Sequence, residues 1–264
     1  MKSELLRFDD WTNPVTPADR EVVSELPEEG STEEKTSKPP VLFVPGLGQG
    51  AWVFATHWLA QTAARGFPAH ALTPRPGGDL RAQVHDVVQT AAALPRQAVL
   101  IGHGVGGLVV AHALGRYPAR AVVLAAPVLD SWATLGAAFR ANPFGTLPGL
   151  VGGRIRMSRR QLFGPGLPVE EANAYVDRIA ARPRRDLAAP GPAPKPVGDP
   201  PVLVVGSPDD RVVPRKSLDR TATRYGGAPL LFPGMGHSLM LDVNWSDPIE
   251  AILDWLDKEL SAAS

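Results

Sequence analysis

The sequence predicts an α/β fold: a mostly parallel central sheet flanked by helices, with a short helical cap. Three observations carry that prediction. From residue 41 onward, short apolar runs alternate with helix-length segments, as crossover units in a parallel sheet require. One apolar run passes through a sharp glycine-rich turn, Gly102-His103-Gly104-Val105-Gly106-Gly107, into a small-residue helix. From about residue 130 to 198 the alternation stops, and it then resumes, as an insertion over one end of a sheet would make it do.

Residues 1–38 are polar and acidic and read as a partly flexible extension to a domain at 39–264. Glu4–Phe8 and Arg20–Leu26 are candidate edge strands, and Pro27–Pro40 reads as a flexible link. Val41–Val44 is a short apolar run ending at Pro45-Gly46, a buried strand followed by a tight loop. Trp52–Arg65 is expected to be one helix stopping at Gly66, and Ala69–Thr73 a strand. Asp79 can N-cap a helix to about Ala93. Ala98–Ile101 and Ala121–Ala126 are strands on either side of the helix Gly104–Gly115. In the insertion, Val169–Ala181 reads as a helix, and residues 190–201 hold six prolines, a stiff return linker. Strand Val202–Val205, helix Pro214–Tyr225 and strand Pro229–Phe232 follow. The final helix has Asp247 as N-cap, Pro248 at its first position and Glu250 three residues after the cap. Ile249, Ile252, Leu253, Leu256 and Leu260 form its apolar face.

Composition excludes several function classes. The 264 residues are 44% apolar and 20% charged, enough core for a large domain and too few charges for wholesale disorder. Lys+Arg and Asp+Glu are 27 each, so the net charge is zero, which argues against a nucleic-acid partner. Cysteine is absent, which removes disulfides, thiolate nucleophiles and cysteine metal sites. No run of about 18 apolar residues exists, and MKSELLRFDD lacks an apolar h-region. No membrane span and no secretory leader are expected, and the location expected is cytoplasmic. No histidine pair has metal-ligand spacing with a third ligand, so no metal and no cofactor are expected. Gly102–Gly107 lacks the Gly-x-Gly-x-x-Gly spacing of a dinucleotide turn.

The stretch Val99-Leu100-Ile101-Gly102-His103-Gly104-Val105-Gly106-Gly107 resembles the nucleophile elbow of the α/β-hydrolase family, Gly-x-Ser-x-Gly. Three further stretches are similar to that family in the same order. Phe43-Val44-Pro45-Gly46-Leu47-Gly48 is similar to its oxyanion loop, Val204–Pro214 to its acid loop, and Pro233-Gly234-Met235-Gly236-His237-Ser238 to its histidine loop. The resemblance covers roughly residues 41–260. It implies an oxyanion hole from the N–H groups of Leu47 and Val105, and a His237 oriented by Asp210. Asp209 and then Asp130 are the weaker choices for that carboxylate. Trp52, Trp132 and Met240 are candidate walls of an apolar substrate pocket.

The departure lies at the elbow, where the family's nucleophile position is Gly104. Ser131, Ser207 and Ser238 fall on other loops. A serine acyl-enzyme is therefore not available to this sequence. The histidines that relatives often carry in the oxyanion loop and after the next strand are also absent, replaced by Pro45-Gly46 and by Arg75-Pro76-Gly77-Gly78. His237 held by a carboxylate remains a competent general base. Three readings follow. The first is a non-covalent acid–base enzyme (lyase, isomerase or cyclase) acting on an apolar, carbonyl-containing small molecule. It expects activity to vanish without His237 and to change little when Gly104 becomes alanine. The second is an ester or lactone hydrolase using activated water, or carrying a serine-to-glycine substitution. The third is an inactive binding protein. His103 is expected to pack rather than react, and His57, His70, His85 and His112 to lie away from the site. The basic run Arg154, Arg156, Arg159, Arg160 reads as a solvated cap face, or as a grip on an acidic substrate or partner.

Overall fold

The apolar run Val41–Val44 has no polar residue to present to water on either face, so it must be covered on both. The computed structural model places it inside the sheet, with a strand on either side and all four residues buried. The structure describes residues 21–28, 38–75, 77–129, 131–150, 154–180, 182–183 and 191–262.

Along the chain, β1 is Val22–Glu25 and β2 is Val41–Val44; α1 (Trp52–Ala55) and α2 (Trp58–Ala64) lead to β3 (Ala69–Leu72). Then come α3 (Leu80–Ala93), β4 (Val99–His103), α4 (Val105–Ala113) and β5 (Val122–Ala125). The insertion holds α5 (Ser131–Ala141), α6 (Pro143–Leu150), β6 (Arg154–Ile155), α7 (Arg159–Leu162), α8 (Val169–Arg178) and β7 (Arg182–Pro183). The core resumes with β8 (Val202–Gly206), α9 (Arg215–Arg224), β9 (Leu230–Leu231), a 3-10 turn at Leu239–Leu241, and α10 (Ser246–Ala262). The sheet order is β1-β3-β2-β4-β5-β8-β9. Among the described residues of this sheet only β1 runs antiparallel, with Val23 opposite Ala71; β6 and β7 pair antiparallel in a separate two-stranded sheet. Strand β1 is the edge strand expected within Arg20–Leu26. Glu4–Phe8 and residues 29–37 of the expected link lie outside the described residues.

Alternation along the strands divides the core in two. Leu42, Val44, Leu100, Val122 and Leu124 pack on one face with α3 and α4. Val41, Phe43, Val99, Ile101 and Val123 pack on the other with α1, α2 and α10. The glycine-rich turn has a steric cause. A Cβ on Gly106 would stand 2.2 Å from the Val44 carbonyl oxygen, and one on Gly102 would stand 2.5 Å from the Gly106 oxygen. Helix α4 crosses the strand ends too closely for any side chain at those two positions.

Two expected boundaries are corrected. Trp52–Arg65 is two helices, broken at His57 (φ −143°, ψ −53°), whose ring leaves the helix path and stacks on Trp245 at 4.3 Å between centroids. The last helix starts at Ser246, so Asp247 lies inside its first turn rather than capping it. Pro248 is still harmless there, because first-turn N–H groups have no intrahelical acceptor.

Charged contacts fix the layers. Arg65 at the end of α2 reaches Glu250 (2.7 Å), Asp254 (2.7 Å) and Asp257 (3.1 Å) on α10. The hydrogen bond that Arg65 donates to Asp254, with that to Asp257 and the charge of both carboxylates, raises its pKa. Arg75, on the loop after β3, donates through Nε to the fully buried Asp86 of α3 at 2.7 Å. That loop edges the site described below. None of the described helices is long and apolar enough to cross a membrane.

Candidate active site

Three loops at the carboxyl ends of parallel strands converge, where ligands bind in open α/β sheets. Gly104 follows β4 directly and holds φ +55°, ψ −118°. This conformation is costly for any residue with a Cβ and persists only where its surroundings enforce it. Its backbone is tied on both sides. Its N–H donates to Ala125 O at 2.9 Å, and its carbonyl accepts from Val128 N–H at 2.9 Å.

His237 faces this turn. A Cβ built on Gly104 would lie 3.1 Å from His237 Nε2. On the far side of the ring, Nδ1 lies 2.8 Å from Asp210 Oδ2, and both side chains are buried. The other oxygen of Asp210 accepts the N–H groups of Val212 (2.7 Å) and Val213 (3.0 Å). Those two bonds aim the carboxylate, and the carboxylate orients the ring so that Nε2 points to Gly104. Asp209 takes no part: its Oδ2 accepts from Gly234 N–H at 2.7 Å. Asp130 and the side chain of Trp132 lie outside the described residues.

Leu47 and Val105 line one narrow crevice of about 20 Å³ beside the turn. Val105 is the first residue of α4, so its N–H has no intrahelical acceptor. The structure thus brings Gly104, His237 and Asp210 together, while Leu47 and Val105, the residues after Gly46 and Gly104, meet at the crevice next to them. Met240 does not join them. It is fully buried in the core layer with Leu239 and Leu241, because every side chain of the 3-10 turn packs inward. Trp52 is half-buried under the cap, stacked on Tyr175 at 6.2 Å and covered by the Arg178 guanidinium at 3.9 Å. Neither residue lines the crevice or the larger cavity described below.

Ser207 is engaged elsewhere, its hydroxyl donating to Met235 O at 2.7 Å. Among the described residues no group of three or more His, Asp or Glu side chains is placed to hold a metal ion.

His103 positions the site rather than entering it. Its Nε2 donates to the His237 carbonyl at 3.0 Å, and its Nδ1 lies 3.1 Å from Gln49 Oε1. The same Gln49 oxygen accepts from Gly46 N–H at 3.0 Å, so His103 stands between the two loops that frame the site. Burial, with the nearby His237 ring adding to it, pushes the His103 pKa down to about 3. The sign follows. An unfolded chain takes up this proton near the ordinary histidine value, and the folded chain does so only near the lowered one. Stability from this residue is therefore complete above about pH 6.5 and falls as pH drops toward about 3. Between about pH 7.5 and about pH 5 the loss is on the order of 2 kcal/mol, or about 5 °C in Tm. Thermal melts at the two pH values should show it, and His103→Gln should flatten that part of the profile.

Two contacts escaped the sequence reading. Asp242 is buried, and its Oδ2 accepts from Gly164 N–H (2.8 Å) in the cap and Gly236 N–H (2.6 Å) beside His237. Its trace in the sequence is a lone carboxylate after the apolar triplet Leu239-Met240-Leu241. The second is the bond from Ala180 N–H to Gly48 O at 2.9 Å, which ties the cap to the oxyanion loop. Asp242→Ala leaves the buried Gly236 N–H and the half-buried Gly164 N–H without this acceptor, an expected loss of about 2 kcal/mol. Urea unfolding would measure it, and hydrogen exchange should show Gly164 and Gly236 deprotected first.

A sequence profile described as the alpha/beta hydrolase family matches residues 41–255, and the chain belongs to that family. Solved structures of similar fold include a soluble variant of monoglyceride lipase from Saccharomyces cerevisiae in complex with a substrate analogue (TM-score 0.68, 14% identity, covering 91% of this chain and 92% of that one). The monoacylglycerol lipase of Paleococcus ferrophilus is also similar (TM-score 0.64, 16% identity, 92% and 100%). So is a bromoperoxidase from Bacillus anthracis (TM-score 0.65, 16% identity, 90% and 95%). No curated protein sequence matches the chain significantly. At these identities the structural likeness concerns the fold alone.

Proposed function

We propose that this chain is an acid–base enzyme of the hydrolase fold that works without a covalent intermediate, with His237 as the base and a small carbonyl compound as substrate. One observation carries the reading. His237 Nε2 would sit 3.1 Å from a Cβ on residue 104, and residue 104 has no side chain. A serine there would need the imidazole to give by only a few tenths of an ångström, but this chain has none, so the position facing Nε2 is left to a proton donor that is not part of the protein.

The chemistry follows from the geometry. The substrate carbonyl oxygen points at the N–H groups of Leu47 and Val105, which stabilise negative charge as it develops. His237 Nε2 takes a proton from the carbon next to the carbonyl, and Asp210 stabilises the imidazolium that results. Return of the proton to a different atom, or loss of a leaving group, completes an isomerase, lyase or cyclase step.

The test is exchange of α-protons for deuterium in a panel of small ketones and thioesters, followed by proton NMR. Exchange by the native protein that disappears in His237→Ala supports the proposal. Exchange that persists in His237→Ala, or none across the panel, overturns it.

A second reading is hydrolysis by water activated at His237. It is favoured by the family, and the similar structures named above include two lipases. Steady turnover of chromogenic esters by the native protein, with no pre-steady-state burst, would support it over proton exchange.

A further inference from the structure

The cap and the two loops that carry Asp210 and His237 enclose a cavity of about 620 Å³. Its size falls within the range of small-molecule sites, about 300–1,000 Å³. It does not include Gly104, Val105 or Leu47, so it is separate from the crevice at the elbow. Its lining is two-sided. Arg159 and Arg160 from α7 and Arg211 from the acid loop supply guanidinium groups, while Phe163, Leu167 and Met235 supply buried apolar surface.

The arginines are the informative part. Elsewhere in the fold, Arg65, Arg75 and Arg215 each reach a carboxylate within 2.8 Å. Among the described residues, the side chains of Arg159, Arg160 and Arg211 form no ion pair and no hydrogen bond. One carboxylate does line the cavity, that of Asp209. Its Oδ2 is already an acceptor for Gly234 N–H at 2.7 Å. Three positive groups thus share a concave site with one negative group, above an apolar floor. Planar guanidinium groups pair with carboxylate or phosphate oxygens through two parallel hydrogen bonds.

We infer that this cavity binds a small amphiphilic anion: a carboxylate or phosphate head held by Arg159, Arg160 and Arg211, with an apolar chain against Phe163, Leu167 and Met235. The site adjoins the candidate catalytic pair without containing it. Arg211 follows Asp210 directly, and Gly236 precedes His237. A ligand here therefore touches the two loops that position the base. Arg160 and Arg211 are exposed and Arg159 is half-buried, so the head group stays near water and its attraction weakens with salt.

Isothermal titration of the full chain tests this with octanoate, octyl phosphate, octanol and acetate. The expected result is that octanoate or octyl phosphate binds at least about tenfold more tightly than octanol and acetate, about 1.4 kcal/mol. Which of the two binds more tightly identifies the head group. A variant carrying Arg159→Gln, Arg160→Gln and Arg211→Gln, with an unchanged Tm, should lose at least about tenfold in affinity. His237→Ala should bind as the native protein does, which separates this inference from the proposed reaction. Equal binding of octanol and octanoate, undiminished binding by the triple variant, or loss of binding in His237→Ala overturns it. Should the triple variant unfold, Arg211→Gln alone serves, since that side chain is exposed on a loop.

Discussion

On the proposed reading, His237→Ala is expected to lower α-proton exchange by about 10³-fold, the scale of a positioned general base, while leaving the fold intact. The ring is buried, with Nδ1 2.8 Å from Asp210 Oδ2 and Nε2 facing Gly104. Asp210→Asn should cost about as much, for a different reason. An amide that turns its NH₂ toward Nδ1 forces the proton onto Nε2, and the base then has no lone pair for substrate. The two variants separate on chemical rescue. Added imidazole can enter the space left in His237→Ala and restore part of the rate, but it cannot correct the wrong tautomer in Asp210→Asn. If both variants keep native exchange rates, His237 is not the base.

The parts of this site that were legible in the sequence are those where backbone geometry demands a residue type. Gly102 and Gly106 had to be glycine because a Cβ at either would stand within 2.5 Å of a backbone oxygen. Asp210 could be ranked above Asp209 by its place directly before Arg211-Val212-Val213-Pro214. The structure gives the physical cause of that spacing, since Asp210 Oδ1 closes a turn on the N–H groups of Val212 and Val213. What could not be read are contacts made by the chain's return from far away. Met240 is as apolar in a pocket wall as in a core, and only the inward turn of Leu239–Leu241 decides between them. The break at His57 depends on Trp245, and the tie of cap to histidine loop depends on Asp242 and Gly164. The basic run of the cap divided in the same way. Arg154, Arg156 and Arg160 are exposed, and Arg159 and Arg160 line a cavity that exists only once the acid loop is in place.

Gly104→Ala is expected to lower activity by at least about 10²-fold, against the small change that the sequence suggests. Two effects add. The residue holds φ +55° and ψ −118°, a conformation that costs a residue with a Cβ about 1–3 kcal/mol. The new methyl also stands 3.1 Å from Nε2, in the space where the proton to be moved must lie, and so blocks the base even in molecules that fold. A misplacement of about 1 Å in a reacting geometry is enough for a loss of this order. Gly104→Ser meets the same contact but adds a hydroxyl that the displaced His237 can activate. Its expected behaviour is therefore opposite in kind: α-proton exchange falls as in Gly104→Ala, and a burst of nitrophenol from chromogenic esters appears, because an acyl-enzyme now forms. Rapid-mixing kinetics on the three proteins decides the matter. A burst confined to Gly104→Ser means that the oxyanion donors and the Asp210–His237 pair are competent and that glycine alone keeps this site from covalent chemistry. Full activity in Gly104→Ala means that the reacting atoms do not lie between residue 104 and His237, and the proton-transfer reading then fails with them.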